Sequence, residues 1–306
     1  MNAKKPLIII AGPTAAGKSA LAVDFCREFG GEVISADSMQ VYKGLDIGSA
    51  KITAEEMRGV PHHLISVLDP REPFNVTVFQ RLAKEAMEDI YTRGHLPVIV
   101  GGTGFYIQAV LYDVDFTENP ADESFRTALT ALAAEKGPEA LHSLLLEKDP
   151  ESAEAIDPHN VKRMIRALEY YEMTGEKISV HNKRERQKES PFDAHYYVLT
   201  MSRPRLYERI EKRVGLMMEQ GLLDEVRRLK EYGCTREMTS MQGLGYKQLF
   251  RYLEGECTLD EAVYDIINET RHFAKRQLTW FRREKDVIWV DAEKEDPIDV
   301  LRTWNQ

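Results

Sequence analysis

Eight residues near the start of the chain, Gly12-Pro13-Thr14-Ala15-Ala16-Gly17-Lys18-Ser19, have the spacing G-x-x-x-x-G-K-[ST]. In such a loop the backbone N–H groups cradle a chain of phosphates, the lysine neutralises a β- or terminal phosphate, and the hydroxyl helps to hold Mg²⁺. Gly12, Thr14, Ala15, Ala16, Gly17, Lys18 and Ser19 are therefore candidate phosphate-binding residues, with Ser19 the candidate Mg²⁺ ligand. A glycine-rich turn that merely ends in Lys-Ser is the alternative, and the flanking sequence argues against it. Leu7-Ile8-Ile9-Ile10-Ala11 before the loop reads as a buried strand. Ala20 to Phe29 after it reads as a helix, with Leu21, Phe25 and Phe29 at helical spacing and Gly30-Gly31 at its end. The loop does not identify which phosphate compound it holds.

Ligands of open parallel sheets gather outside the carboxyl ends of the strands. Glu32-Val33-Ile34-Ser35-Ala36-Asp37 reads as a strand ending in an acid, and Leu96-Pro97-Val98-Ile99-Val100 as one running into Gly101-Gly102-Thr103-Gly104. If these lie side by side with the first strand, Asp37 and Thr103 point at the bound phosphates. Asp37 then serves as a general base or a magnesium partner, or it caps a following turn. Thr103 donates to a phosphate oxygen or belongs to a tight turn. No later apolar strand ends in Asp-x-x-Gly or Asp-Glu, and the acid comes instead on the next strand in sequence. That favours a small-molecule phosphate enzyme over a nucleotide-driven machine.

Other groupings are more ambiguous. Arg205, Arg209 and Arg213 recur at i, i+4 and i+8, which lines them along one helix face, and Glu208 and Glu211 make a solvated face the default reading. Lys275-Arg276-Gln277-Leu278-Thr279-Trp280-Phe281-Arg282 mixes cations, amide and aromatics as nucleic-acid surfaces do, but an amphipathic helix has the same look. His62-His63 lacks metal-ligand spacing and reads as structural.

The elements that must position these groups alternate strand and helix. A third strand is expected at His63–Val67, a helix at Phe79–Tyr91, and later strands at Tyr196–Thr200 and Val287–Val290. Between them the segment 116–194 is rich in Ala, Leu, Glu and Lys with helical periodicity and no strand signal. The expected fold is α/β: a P-loop NTPase-like parallel sheet with helices on both faces, formed by 1–115 and 195–306, plus a helical insertion domain over 116–194. With 306 residues, 43% hydrophobic and 30% charged, the chain has the composition of an ordinary globular enzyme. No apolar run approaches the ~18 residues of a membrane span, and the start of the chain does not read as a signal peptide. Three scattered cysteines suit a reducing compartment, so the expected location is the cytoplasm. The net charge of −9 counts against nucleic-acid binding as a whole, yet residues 271–285 and 160–188 are locally basic.

Taken together, the motifs resemble the bacterial tRNA dimethylallyltransferase family, also called tRNA isopentenyltransferase or IPP transferase. The matching segments are the phosphate loop, Ile34-Ser35-Ala36-Asp37-Ser38-Met39-Gln40-Val41-Tyr42, Pro61-His62-His63-Leu64, Val100 to Tyr106, Arg163 to Glu169, Gly243-Leu244-Gly245-Tyr246-Lys247 and Lys275 to Arg282. They follow the family's order over nearly the whole chain, with Ala16 where Ser is common and Ser19 where Thr is common. The resemblance implies that the loop holds the pyrophosphate of dimethylallyl diphosphate, with Mg²⁺ as cofactor. It implies that the acceptor is N6 of the adenosine 3′-adjacent to a tRNA anticodon. It assigns Asp37 to taking the amine proton, and Lys18, Ser19, Thr14, Thr103 and Arg213 to the departing pyrophosphate. It places tRNA contacts at Ser38, Met39 and Gln40, at Lys162, Arg163 and Arg166 on the insertion, and at Gln242, Gly243, Gly245 and Lys247. Lys275, Arg276, Gln277, Trp280 and Arg282 complete the implied tRNA surface, and the expected protein is a monomer without membrane contact. A small-molecule kinase, a prenyltransferase acting on free adenine nucleotide and a non-catalytic RNA-binding protein are the rival readings.

Overall fold

Leu7, Ile8, Ile9, Ile10 and Ala11 are all fully buried, as befits a strand packed on both faces. Their side chains alternate: Leu7, Ile9 and Ala11 enter one apolar cluster, and Ile8 and Ile10 enter another. The computed structural model describes residues 4–116 and 123–305. Two compact units are present, one made of Met1–Asp113 with Ser190–Gln306 and the other of Val114–Glu189.

The first unit begins β1 (Lys5–Ala11), α1 (Lys18–Phe29), β2 (Gly31–Ala36), α2 (Ala54–Met57), β3 (His62–His63), α3 (Val76–Thr92), β4 (Leu96–Gly101) and α4 (Gly104–Leu111). Within the second unit are α5 (Glu123–Lys136), α6 (Pro138–Lys148), α7 (Pro150–Ala155), α8 (Val161–Thr174) and α9 (Ile178–Gln187). The first unit resumes with β5 (Phe192–Thr200), α10 (Arg203–Glu219), α11 (Leu222–Glu231), α12 (Tyr246–Leu253), α13 (Leu259–Phe281), β6 (Val287–Asp291) and α14 (Pro297–Leu301). The six strands form one sheet in the order β3-β2-β4-β1-β5-β6, and every pairing is parallel. The fold is the α/β arrangement expected, with helices around a parallel sheet.

Register decides what the sheet presents. Ala11 of β1 pairs with Gly101 of β4, and Ala36 of β2 pairs with the same Gly101. Three strands therefore end level, and they deliver Gly12, Asp37 and Gly102 to one edge. Asp37 lies on the next strand in sequence but not in space, because β4 runs between β1 and β2. The third strand is shorter than expected, covering His62–His63 instead of His63–Val67. Leu64 and Ser66 adopt φ values of 61° and 52°, and that left-handed backbone ends the ladder.

The second unit is helical throughout its described residues, and has its own core of Leu129, Leu141, Leu145, Met164 and Leu168. Its limits fall at 114 and 189, whereas the sequence suggested 116 and 194; β5 already begins at Phe192, and 117–122 lie outside the described residues. Buried Asp149 caps α7 by accepting from the Ser152 N–H and hydroxyl, and it also accepts from the Ser179 N–H and hydroxyl at the start of α9.

Candidate active site

The phosphate loop is a sharp turn that leaves the end of β1 and enters α1. Gly12 has φ 144°, and a Cβ there would sit 2.7 Å from the Leu199 carbonyl oxygen of β5. Gly17, with φ 98°, caps α1 without any side-chain hydrogen bond, so the first N–H groups of the helix remain available to an anion. Ala15 holds φ 65°, a conformation that non-glycine residues adopt only when their surroundings enforce it. Those surroundings are side chains from distant elements. The Arg209 Nε of α10 donates to the Ala15 carbonyl at 2.7 Å, and Arg213 Nη1 donates to Thr14 Oγ1 at 3.3 Å. The Thr14 N–H donates to Gln277 Oε1 of α13 at 2.9 Å, while Lys18 Nζ reaches back to the Pro13 carbonyl at 2.8 Å.

Asp37 uses one carboxylate oxygen locally. Its Oδ1 accepts from the N–H groups of Met39 at 2.8 Å and Gln40 at 3.3 Å, which fixes the turn after β2. Among the described residues Oδ2 takes no hydrogen bond, so Asp37 caps the turn with one oxygen and leaves the other uncommitted. It lines a cavity of about 1030 Å³ together with Thr14, Lys18, Ser19, Arg209 and Arg213. Burial, and then the nearby Arg213 charge, bring the Lys18 ammonium down to about 8, against the opposing pull of Asp37. Burial and the Arg209 charge likewise lower Arg213. The site is thus short of anions, and a polyanionic ligand relieves the repulsion among its cations. Among the described residues no group of three or more His, Cys, Asp or Glu forms a metal cage. The hard Ser19 hydroxyl oxygen on the cavity wall fits Mg²⁺, which takes few protein ligands and completes its shell with substrate oxygens and water.

A family model described as IPP transferase matches residues 40–284, and a second, isopentenyl transferase, matches 5–66. The chain belongs to the IPP transferase family. A tRNA dimethylallyltransferase of Lachnoclostridium phytofermentans is 56% identical over 94% of this chain and 92% of its own length. Among solved structures, the tRNA isopentenylpyrophosphate transferase of Bacillus halodurans superposes with TM-score 0.74 at 44% identity, covering 99% of this chain and 95% of that one. A eukaryotic dimethylallyltransferase described as acting on tRNA gives TM-score 0.82 at 30% identity, covering 98% of this chain and 77% of that one.

Within this IPP transferase the remaining sequence-derived site residues divide by environment. Thr103 caps α4 and sends its N–H to the Ala36 carbonyl at 3.4 Å, while the neighbouring Gly101 and Gly102 line the cavity. Ser38 and Met39 lie half-buried beside Asp37. The Gln40 carboxamide is occupied, accepting from Ser35 Oγ and donating to the Ser49 and Ala50 carbonyls. Gln242 bonds back to the Arg236 carbonyl, Lys247 pairs with Glu269, and Gly243 packs so closely on Met39 that a Cβ would stand 2.7 Å from its Sδ. Gly245, with φ 92°, opens α12. Lys275 and Arg276 on α13, and Arg282 just past its end, are exposed without an ion pair among the described residues. Trp280 instead covers Gly104 and meets Phe105 edge to face at 6.1 Å. On the second unit Lys162, Arg163 and Arg166 form the exposed face of α8, unpaired among the described residues, and the other face buries Met164, Ile165 and Leu168.

Gln277 departs most from expectation, being 6% exposed and turned into the core. Arg209 and Glu225 were missed as site residues. Arg209 flanks the buried Leu206–Ile210–Val214 stripe of α10, whereas Arg205 pairs outward with Glu208. Glu225 lies in the apolar stripe of α11 between Leu222 and Leu229, where an acid is itself a signal. His62 bonds the Val60 carbonyl at 2.8 Å and also lines the cavity, whereas His63 bonds buried Glu32 at 2.7 Å.

Proposed function

We propose that this IPP transferase moves the dimethylallyl group of dimethylallyl diphosphate onto N6 of the adenosine 3′-adjacent to the anticodon in tRNA. The N6 lone pair forms a bond to the allylic carbon, the carbon–oxygen bond breaks, and its electron pair leaves with diphosphate. Asp37 takes the N6 proton through the oxygen not committed to the turn. Lys18, Arg213 and the N-terminus of α1 receive the charge that develops on the leaving group. Ser19 would hold magnesium, which would supply further charge neutralisation. An exocyclic aromatic amine is a weak nucleophile, so the barrier is lowered by positioning and by stabilising the leaving group.

One observation carries this reading: β1, β2 and β4 end level at Ala11, Ala36 and Gly101, placing a cationic phosphate loop and an available carboxylate on one cavity. The tRNA acceptor is supported by the similarity to enzymes that act on tRNA and by the exposed cations of α8 and α13. Reaching Asp37 requires the adenine to leave its stack, which suits an unpaired anticodon loop. The same reading places the protein in the cytoplasm as a monomer; among the described residues no helix is long and apolar enough to cross a membrane.

The test uses labelled dimethylallyl diphosphate with unmodified tRNA, with free AMP, and with ATP plus small-molecule acceptors. Label is expected on tRNA alone. Transfer to AMP would move the enzyme to the free-nucleotide class, and ATP consumption with unlabelled tRNA would make it a kinase.

A further inference from the structure

Gln277 is the buried polar side chain of α13, in a stripe otherwise made of Ala262, Ile266, Ala274 and Phe281. Both ends of its carboxamide are used. Its Oε1 accepts from the Thr14 N–H and its Nε2 donates to the Gly102 carbonyl, each at 2.9 Å. The contact is close enough that a Cβ on Gly102 would collide with the Gln277 Nε2. One side chain therefore ties the loop after β1 to the turn after β4.

The consequence reaches Lys18 through a single peptide. In a trans peptide the carbonyl and the N–H point in opposite directions. With the Thr14 N–H held by Gln277, the Pro13 carbonyl is aimed the other way, at Lys18 Nζ 2.8 Å distant. The Lys18 and Arg213 contacts to the loop end in charged donors that a bound anion can recruit. The Gln277 bonds join neutral groups within the protein and have no reason to exchange when an anion arrives. We propose that Gln277 is a positioning residue for the diphosphate leaving group and not an RNA contact: it fixes the Pro13–Thr14 peptide and so sets where Lys18 rests. This rests on the reading of the loop as a diphosphate cradle.

The test compares the wild type with Gln277→Leu and Gln277→Glu, titrating inorganic diphosphate with Mg²⁺ by calorimetry and measuring tRNA binding separately without diphosphate. Gln277→Leu leaves the Thr14 N–H and the Gly102 carbonyl without partners. A loss of roughly 10- to 100-fold in diphosphate affinity is expected, with tRNA affinity within about twofold of wild type. Gln277→Glu keeps the acceptor but loses the donor and adds a charge. Its affinity is expected to fall at neutral pH and to recover relative to wild type as the pH is lowered toward about 5, because burial at this position raises a carboxyl above its ordinary value of about 4.3. A purely structural role would lower the unfolding midpoint without this pH signature. Variants that bind diphosphate like the wild type, or that lose tRNA and keep diphosphate, would overturn the proposal. A wild type that itself ignores diphosphate would sink the cradle reading, and this proposal with it. If Gln277→Leu does not fold, the pH response of Gln277→Glu decides alone.

Discussion

The Tyr246 hydroxyl donates to the Glu225 carboxylate at 2.7 Å, and the same carboxylate collects the backbone N–H groups of Asp46, Ile47 and Gly48 at 2.8–3.1 Å. Tyr246 also carries the loop on its ring, since a Cβ on Gly48 would stand 2.6 Å from it. The following Ser49 and Ala50 carbonyls are held by Gln40 from the other side. The part of the cavity wall formed by Asp46, Ile47, Ser49 and Ala50 is thus tied to one buried carboxylate. Within the Gly243–Lys247 motif, Tyr246 is a structural residue of the active site.

Tyr246→Phe keeps the ring and removes one hydrogen bond to a charged acceptor. It is expected to destabilise the protein by about 1.5–3 kcal/mol, seen as a lower urea midpoint. An unchanged midpoint would show that water replaces the hydroxyl at Glu225.

Asp37→Asn tests the division of labour between the two oxygens of that side chain. The amide oxygen still caps the turn at Met39 and Gln40, whereas the proton acceptor is gone. Turnover is expected to drop by roughly 10²- to 10⁴-fold with tRNA binding largely intact. Near-normal single-turnover rates would remove Asp37 from the base role.

On the proposed function, Lys18 is expected to make diphosphate binding pH-linked. Burial and the Arg213 charge hold its pKa down to about 8, and a bound anion is expected to raise it again. Binding at about pH 9 is therefore expected to draw a proton onto Lys18, measured by calorimetry in buffers of different ionisation enthalpy. Lys18→Arg, which does not titrate in this range, supplies the baseline for protons exchanged by diphosphate itself. The sign for the empty protein is opposite to that of a salt-bridged lysine. Between about 8 and the ordinary 10.5 the unfolded chain binds the extra proton, so this group's contribution to stability rises with pH. Equal proton uptake in both proteins would place the perturbation elsewhere.

Arg163→Ala removes an exposed cation of α8 that has no ion pair among the described residues. If that face meets a phosphate, tRNA affinity falls and the slope of log K against log salt shrinks by about one contact, near 0.7–0.9. An unaltered slope would make α8 an ordinary solvated helix.

The phosphate loop and Asp37 were legible in the sequence because each is a contiguous motif at the end of an apolar run. Their spatial relation was not, because strand order is set by pairing: β4 separates β1 from β2, and its glycines allow Asp37 to share the cavity from two strands away. The early end of β3 was also hidden, since Leu64 and Ser66 carry no sequence sign of a left-handed backbone. Gln277 was readable in principle. It follows Ala274 by three positions and precedes Phe281 by four, but its Lys-Arg neighbours suggested a surface. Arg209 and Arg213 share a face with Arg205, and only packing shows that the first two turn to the phosphate loop while the third pairs with Glu208.

All six strands, the phosphate loop and helices α10 and α13 lie outside residues 114–189. That unit buries its own Leu and Met side chains and lends no strand to the sheet. On the proposed function, the catalytic groups and the α8 part of the tRNA surface are thus encoded in separable stretches of chain. Substitutions on the exposed face of α8 can drift, or be exchanged between relatives, without passing through intermediates that compromise the prenyl-transfer centre. On the proposed function, such an enzyme can follow changes in its tRNA partners by altering one module while its catalytic core stays fixed.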